Sequence, residues 1–210
     1  IIEDLFPEMM AFFYPEAVDS LDFERVEFLD KELQQLFPEA AQQRRYADKL
    51  VKVGRRAGGD VWLLIHIEVQ GYADPAFAER MFRYYYRIYD RYGIEIEALA
   101  LLTDRYPRFK PERYETQALR TTLRYRFHSY KLLEQDEKTL SGDPNPFALV
   151  LLTALEGLNA GKLPDALLLE QKIQLLRKLV ASGYDRKTIF NLTSFIKYYV
   201  RFEGEELNLK

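Results

Sequence analysis

The sequence DKLVKV at residues 48–53, followed by IHIEVQ at residues 65–70, sets the architecture of this chain. Both stretches have the apolar content of β-strands, and two adjacent glycines lie in the segment Ala57–Asp60 between them. Because glycine adopts the positive φ that tight turns require, we expect a β-hairpin formed by Tyr46–Arg56 and Val61–Gln70. Both strands nevertheless carry polar side chains that an ordinary core strand excludes.

Those polar side chains fall on one face of the second strand. Side chains alternate along a strand, so His66, Glu68 and Gln70 share a face, with Glu68 and Gln70 about 7 Å apart. The position of Asp48 on the partner strand depends on the turn. A loop centred between the two glycines pairs Asp48 with Val69, whereas an odd loop or a bulge pairs it with Glu68 or Gln70. We predict the odd register.

In that register, two carboxylates and an amide oxygen converge. Hard oxygen ligands suit Mg²⁺ better than Zn²⁺. The chain has no cysteine and only two histidines, which excludes disulfides, thiolate nucleophiles, thiolate-bound zinc and a multi-histidine metal site. The sequence therefore predicts a magnesium site built from Asp48, Glu68 and Gln70.

Hydrophobic periodicity predicts the elements around the hairpin. Apolar residues from Glu16 to Leu36 recur with a spacing nearer to 3.6 than to 2, which predicts a helix there. A second helix is expected between Asp74-Pro75, a helix-start signal, and Gly93, a helix-stop signal, with Phe77, Met81, Tyr84, Tyr85, Ile88 and Tyr92 on its apolar face. Strands are expected at Ile96–Thr103 and Thr121–Lys131, and helices at Phe147–Leu158, Pro164–Ser182 and Asp185–Phe202.

These elements predict a mixed α/β (α+β) fold with a helical extension. We expect a core at residues 1–135, a linker at residues 136–146 and carboxy-terminal helices at residues 147–210. The helices are dense in apolar residues, which favours packing on the core or a homodimer interface over nucleic-acid contact.

Three stretches give the chain a specific resemblance. RRYADKLVKV (44–53), VWLLIHIEVQG (61–71) and DPAFAERMFRYYYRIYDRYG (74–93) resemble the recombination-promoting nuclease and putative transposase families, including their cyanobacterial relatives of unknown function. The similarity runs from about Phe28 to Leu133, and NPFALVLLTAL (145–155) is also similar. These families are part of the PD-(D/E)XK nuclease superfamily.

The resemblance implies a restriction-endonuclease-like core, with a central mixed sheet flanked by helices, and metal-dependent DNA cleavage. Asp48 and Glu68 would be the catalytic carboxylates that bind Mg²⁺, or Mn²⁺ as a substitute. Gln70, which stands where the superfamily motif usually has lysine, would be the third catalytic residue and could orient the attacking water through its amide group. An amide cannot supply the positive charge of that lysine, although related families also carry this glutamine.

Several further residues are candidates for the site. Lys52, on the same face as Asp48, could replace the missing cation. Glu27 or Asp30 could supply the additional acid that the first helix of such enzymes often carries. His66 could be a ligand or a base, but a single histidine at the polar edge of a strand is more often a structural residue.

Positive charge is unevenly distributed along the chain. The net charge is -3, which argues against a protein that coats nucleic acid by bulk electrostatics, yet residues 105–131 contain eight basic and two acidic side chains. On the predicted helix after the hairpin, a stripe of arginines could contact a DNA backbone or could be a solvated face with local ion pairs. The stripe consists of Arg80, Arg83, Arg87 and Arg91.

No apolar run approaches the roughly 18 to 20 residues that span a bilayer. The residues after Ile1 do not have the pattern of a signal peptide. Because the first residue is Ile and not Met, we expect the sequence to be a shortened one. We expect a soluble cytoplasmic protein without a membrane partner. The leading functional hypothesis is a magnesium-dependent DNA endonuclease. The alternatives are a nuclease-fold module that binds nucleic acid or protein without effective chemistry, and a purely structural oligomer.

Overall fold

The computed structural model describes residues 1–37, 48–56, 61–160 and 164–199. Seven α-helices and seven β-strands lie in these ranges. The helices are α1 (Phe6–Phe13), α2 (Asp30–Leu36), α3 (Phe77–Tyr92), α4 (Glu137–Gly142), α5 (Pro146–Ala160), α6 (Asp165–Ala181) and α7 (Arg186–Tyr199). The strands are β1 (Leu21–Phe28), β2 (Lys49–Arg55), β3 (Trp62–Gln70), β4 (Ile96–Leu102), β5 (Arg113–Ala118), β6 (Thr121–Arg126) and β7 (His128–Lys131).

The chain divides into two compact units, one formed by Asp19–Lys131 and the other by Ile1–Val18 together with Leu132–Lys210. These bounds are drawn differently from the expected ranges 1–135 and 147–210, because α1 packs on α5. The ring of Phe13 in α1 lies 5.7 Å from that of Phe147 in α5, and the Asn145 side chain donates a hydrogen bond to the Glu8 carbonyl oxygen at 2.9 Å.

A five-stranded mixed sheet, in the order β1-β2-β3-β4-β7, forms the centre of the first unit. The pairs β1–β2 and β2–β3 are antiparallel, and the pairs β3–β4 and β4–β7 are parallel. The hairpin prediction is thus confirmed for the described residues, while the turn glycines Gly58 and Gly59 lie outside them. The coarse prediction of a mixed α/β fold with helices on a central sheet is confirmed too.

The helix predicted over Glu16–Leu36 is wrong in its middle part, where the structure has strand β1. A bulge explains the misleading periodicity. Leu21 and Asp22 pair with Arg55 and Gly54, but the next pair along β2 is Val26 with Val53, so three residues of β1 lie between successive pairs. These extra residues change the apolar spacing from 2 toward the helical period. Within this range, Asp30–Leu36 is α-helical, as α2, and Val18–Ser20 forms a short 3-10 helix before β1.

Helix α3 covers one face of the sheet and follows its prediction closely. Phe77, Met81, Tyr84 and Ile88 are buried, as expected for the apolar face. The helix ends at Gly93, which takes the left-handed conformation with φ of 59°. Just before the helix, the Asp74 carboxylate accepts a hydrogen bond from the Ala76 amide at 2.9 Å.

The strand predicted over Ile96–Thr103 is confirmed as β4, but the one over Thr121–Lys131 is two strands. Phe127 interrupts it, and its amide donates to the Glu112 carbonyl oxygen at 3.1 Å. The first part, β6, pairs with β5 in a separate two-stranded sheet, and the second part, β7, joins the central sheet. At the end of β7, the Lys131 ammonium forms a buried ion pair with Asp104 at 2.7 Å.

Helices α1 and α4–α7 make up the second unit. The three predicted carboxy-terminal helices are confirmed as α5, α6 and α7, the last one up to Tyr199, the final described residue. The range 136–146, expected as a linker, contains α4, because the Asp136 carboxylate caps the Thr139 amide at 2.8 Å and starts a helical turn. Within the described ranges, none of the helices is both long and apolar enough to cross a bilayer.

Glu156 on α5 makes the stability of the second unit sensitive to pH. Burial, with a contribution from Glu137, raises the pKa of its carboxyl to about 7. Below the ordinary carboxyl pKa, the group is protonated in both the folded and unfolded states. As pH rises toward 7, the unfolded chain ionises first, so the stability that this group contributes is lost through that window.

We therefore expect Glu156→Gln to remove part of the pH dependence of unfolding. Between pH 5 and pH 8, wild type should lose about 1 to 2 kcal/mol relative to this variant, less than the full linkage value because the side chain is partly exposed to water. Urea unfolding at both pH values measures the difference. Glu170→Gln, on an exposed position of α6, is the control, and an equal pH dependence in wild type and Glu156→Gln would contradict the assignment.

Candidate functional site

The register of the β2–β3 hairpin brings Asp48 opposite Glu68. The ladder pairs Lys49 with Ile67 and Leu50 with His66, and one step beyond Lys49 this register places Asp48 across from Glu68. The predicted odd register is therefore confirmed. The side chains of His66, Glu68 and Gln70 lie on the same face as Leu64, which packs with α3 residues in the core.

Glu68 and Asp48 form a pair of neighbouring carboxyls at this edge. Glu68 is 1% exposed, and its burial raises the pKa of its carboxyl well above the ordinary value, with the Asp48 charge adding to the rise and Arg80 opposing it. The Asp48 carboxyl lies close enough to hydrogen-bond to Glu68 if one of the two is protonated. Tyr84 of α3 donates its hydroxyl to Asp48 Oδ2 at 3.3 Å. Two carboxyls held this way compete for one proton or one cation.

Arg80, from the first turn of α3, supplies the positive charge of the site. Its Nε and Nη2 donate to Glu68 Oε1 at 3.2 and 3.0 Å, and Nη2 also donates to Gln70 Oε1 at 2.7 Å. Nη1 pairs with the Asp74 carboxylate. Burial alone would lower the pKa of Arg80, but the two carboxylates outweigh it and the pKa is raised. The guanidinium thus joins the site to the start of the helix.

The sequence indicated Arg80 only as a DNA-contact candidate, and its place in the site was missed. A signal was present in the spacing, because Arg80 lies three residues after Phe77 and four before Tyr84, at the margin of the apolar stripe. The guanidinium carbon lies 4.9 Å from the Phe77 ring centroid, and the side chain is 13% exposed. A long cationic side chain at that margin can turn toward the core.

The other arginines of the predicted stripe separate into two kinds. Arg87 donates to the Leu36 carbonyl oxygen at 3.0 Å and lies over the Phe37 ring, so it holds α2 against α3. Arg83 and Arg91 are exposed on α3. Arg80 and Arg87 therefore have internal partners, and Arg83 and Arg91 are the members of the stripe available at the surface.

Gln70 is held in one orientation by contacts at both ends of its amide. The oxygen accepts the hydrogen bond from Arg80, and the Nε2 group donates to the Tyr72 carbonyl oxygen at 2.6 Å. The side chain is almost fully buried. Because its amide oxygen accepts the hydrogen bond from Arg80, Gln70 holds the guanidinium beside the carboxyl pair and adds no charge of its own.

His66 is fully buried next to this group. Burial, with a contribution from the Arg80 charge, lowers the pKa of its imidazole to about 3. Its Nε2 lies 3.7 Å from Glu68 Oε2, too far for a hydrogen bond, and its ring meets the Tyr84 ring edge to face at a centroid distance of 4.9 Å. His66 is therefore a neutral side chain packed against the helix, and neither of its ring nitrogens has a hydrogen-bond partner among the described residues, unlike the hydrogen-bonded histidine that a structural role predicts.

Glu27, Lys52 and Asp30 are not brought to the carboxyl pair. Glu27 pairs across the strands with Lys52, whose ammonium lies 3.4 Å from that carboxylate and 3.9 Å from the Trp62 ring centroid. Trp62 starts β3, six residues or about 20 Å along the strand from Glu68. Asp30 pairs with Lys49. Lys52 does not supply the cation, and the site has Arg80 instead.

The donor set at the site is small. In the parts of the chain that the structure describes, no group of three or more histidine, aspartate or glutamate side chains has an arrangement that could hold a metal ion. Glu68 Oε2 is nevertheless buried without a hydrogen-bond donor among these residues. Two adjacent carboxyls with one unsatisfied oxygen fit a single hard cation held with water or phosphate oxygens completing its coordination.

We expect Arg80→Met to destabilise the protein by about 3 kcal/mol, because it leaves the buried Glu68 carboxylate and the Gln70 oxygen without their donor. Adding Glu68→Gln to that variant should recover part of the loss. Urea unfolding of the single and double variants measures both changes. Arg83→Met, at an exposed position of the same helix, should change stability by less than about 0.5 kcal/mol, and an equal cost for the two arginines would contradict this role.

Comparison of the chain with models of protein families, with curated proteins and with solved structures finds no match in any of the three.

Proposed function

We propose that this chain is a metal-dependent DNA endonuclease with a restriction-endonuclease-like core, which hydrolyses phosphodiester bonds in recombination or transposition. The observation that carries the proposal is the juxtaposition of the Asp48 and Glu68 carboxyls at the edge of the sheet. Two neighbouring carboxylates can bind a metal ion, and the guanidinium of Arg80 on the following helix adds a positive charge. Such a combination suits binding and hydrolysis of a phosphodiester.

Asp48 and Glu68 would hold Mg²⁺, or Mn²⁺ in its place. Burial and mutual repulsion disfavour two ionised carboxyls side by side, and a divalent cation held by these two residues would offset that repulsion. Glu68 Oε2 is the oxygen left for a metal, since Oε1 accepts from Arg80. When bound, the metal would neutralise the phosphate charge and lower the pKa of a water nucleophile.

The remaining residues position these two ligands. Arg80 holds Glu68 Oε1 from the helix side and takes over the positive charge that a motif lysine would supply. Gln70 fixes the guanidinium by accepting from Nη2, and Tyr84 holds Asp48 through its hydroxyl. The neutral imidazole of His66 fills the space behind Glu68 without adding charge.

A module that binds nucleic acid or protein without catalysis is the second candidate, and the contacts of Arg80 favour it. The guanidinium already neutralises Glu68 and occupies the Gln70 oxygen, so the site is held together by the chain's own charges. In this alternative, Arg80 is a structural counter-ion, and the carboxyl pair needs no metal.

Pairing through the carboxy-terminal helices stays a prediction. Val180 of α6 and Phe190 of α7 are exposed apolar side chains that such a homodimer would cover.

Plasmid cleavage tests the catalytic proposal. We expect wild type to nick DNA with Mg²⁺ or Mn²⁺ and not with chelator, and we expect Asp48→Asn and Glu68→Gln each to lower the rate by more than about a hundredfold. Both substitutions keep side-chain size and remove only the charge. Glu27→Gln is the matched control, because it removes a carboxylate from the same sheet at a site paired with Lys52, and it should cut like wild type.

The result also separates the two candidates. Wild type that never nicks DNA with either ion, or carboxyl variants that cut as fast as wild type, would overturn the nuclease. Binding of DNA that persists unchanged in Asp48→Asn and Glu68→Gln, without cleavage by wild type, would support the binding module.

A further inference from the structure

The β5–β6 hairpin forms a two-stranded ribbon in the first unit. At its base, Tyr114 stacks on Phe82 with a centroid distance of 5.4 Å, and Tyr125 packs against Tyr85 at 4.9 Å. Beyond these contacts, residues 115–122 are all exposed, and Leu119 at the turn is 99% exposed. The outer part of the ribbon therefore has both faces in contact with solvent.

The outward face of this ribbon carries two arginines directly opposite each other. Arg113 lies directly opposite Arg126 in the ladder, and like charges in that position destabilise a strand pair. Arg126 is exposed and has no ion-pair partner within the described residues. We call the face formed by Arg113, Glu115, Arg124 and Arg126 the ribbon face.

One carboxylate on the ribbon face is shared by two arginines. Glu115 lies opposite Arg124, whose Nη2 is 2.9 Å from Glu115 Oε1, and Arg113 Nε is 3.9 Å from Oε2. Arg113 also lies 3.5 Å from Glu112 at the edge of the ribbon. The ribbon face keeps an excess of positive charge in a chain whose net charge is -3. A polyanion would offset it.

Exposed aromatic rings of α3 lie beside the opposite face of the ribbon, the one that carries Tyr114 and Tyr125. Tyr86 stacks on Phe82, and Tyr89 stacks on Tyr85, the same two residues that hold the base of the ribbon. Tyr86 and Tyr89 are 58% and 51% exposed, and the exposed Arg83 lies on the same helix. These rings lie outside the ribbon face, which the side chains of β5 and β6 form alone.

We propose that the ribbon face binds duplex DNA, with its arginines on the phosphates and the ribbon lying along the major groove. Guanidinium groups bind phosphate oxygens through paired hydrogen bonds, and a two-stranded ribbon fits a major groove of about 12 Å. The inference rests on the proposed function, since it names the surface that would hold the nuclease substrate, but binding is measured without cleavage.

Fluorescence anisotropy with a short labelled duplex, in chelator and over a series of salt concentrations, tests the ribbon face. The variant Arg113→Gln/Arg124→Gln/Arg126→Gln should bind at least about tenfold more weakly, with a salt slope lower by about 0.9 for each phosphate that is no longer neutralised. Glu115→Gln should bind several-fold more tightly, because it releases both arginines that it now neutralises. A gain in affinity for the duplex cannot result from misfolding of the variant.

The control variant Lys138→Gln/Arg186→Gln/Lys187→Gln removes the same charge from exposed positions of the second unit and should bind the duplex like wild type. Equal weakening by the two triple variants, no binding by wild type, or binding to single strands alone would overturn the proposal. Ribbon-dependent binding by a protein that never cuts DNA would refute the nuclease and leave this inference standing. If the ribbon-face variants bind the duplex and cleave DNA like wild type, the inference is refuted and the proposed nuclease activity is retained.

Discussion

The pairing of β2 with β3 is the constraint on which the candidate site depends. A slip of one residue would turn every side chain of one strand to the opposite face relative to its partner. With Lys49 against Ile67, the strands bring Asp48 toward Glu68, and the face that carries Glu68 and Gln70 is the one that α3 covers. Arg80 can reach both side chains only because the helix begins immediately after the loop that follows β3.

The charges at this edge oppose and compensate one another. A buried carboxyl next to a second, half-buried one is costly to ionise, and both its burial and the Asp48 charge raise the pKa of Glu68. Arg80 offsets part of it by donating to Glu68 and Asp74, and Gln70 accepts the remaining Nη2 hydrogen bond. The result is a hydrogen-bonded network of polar side chains in an apolar environment. Removing any one member would leave another without its hydrogen-bond partner.

Much of this arrangement could be predicted from the sequence. The glycine turn signal and the two apolar runs indicated the hairpin, and an odd loop or a bulge was the condition that paired Asp48 with Glu68. The bulge in β1 could not be predicted, because three residues inserted between strand pairs imitate helical spacing. The spacing of Arg80 placed it at the margin of the apolar stripe but could not show that it turns inward, since a side chain at the margin of a helix face turns inward or outward according to tertiary contacts. Lys52 was a reasonable candidate for the cation, but the Trp62 ring and Glu27 hold it at the other end of the hairpin.

The pairing of Arg80 with Gln70 beside the two carboxyls determines how the site can respond to acidity. A lysine that is desolvated can release its proton near neutrality, whereas a guanidinium keeps its charge at every accessible pH and an amide has no charge to lose. The imidazole of His66, with a pKa of about 3, is neutral throughout the same range. Any proton that this group of residues exchanges with a bound molecule must therefore come from the Asp48 and Glu68 carboxyls, from the Tyr84 hydroxyl or from water.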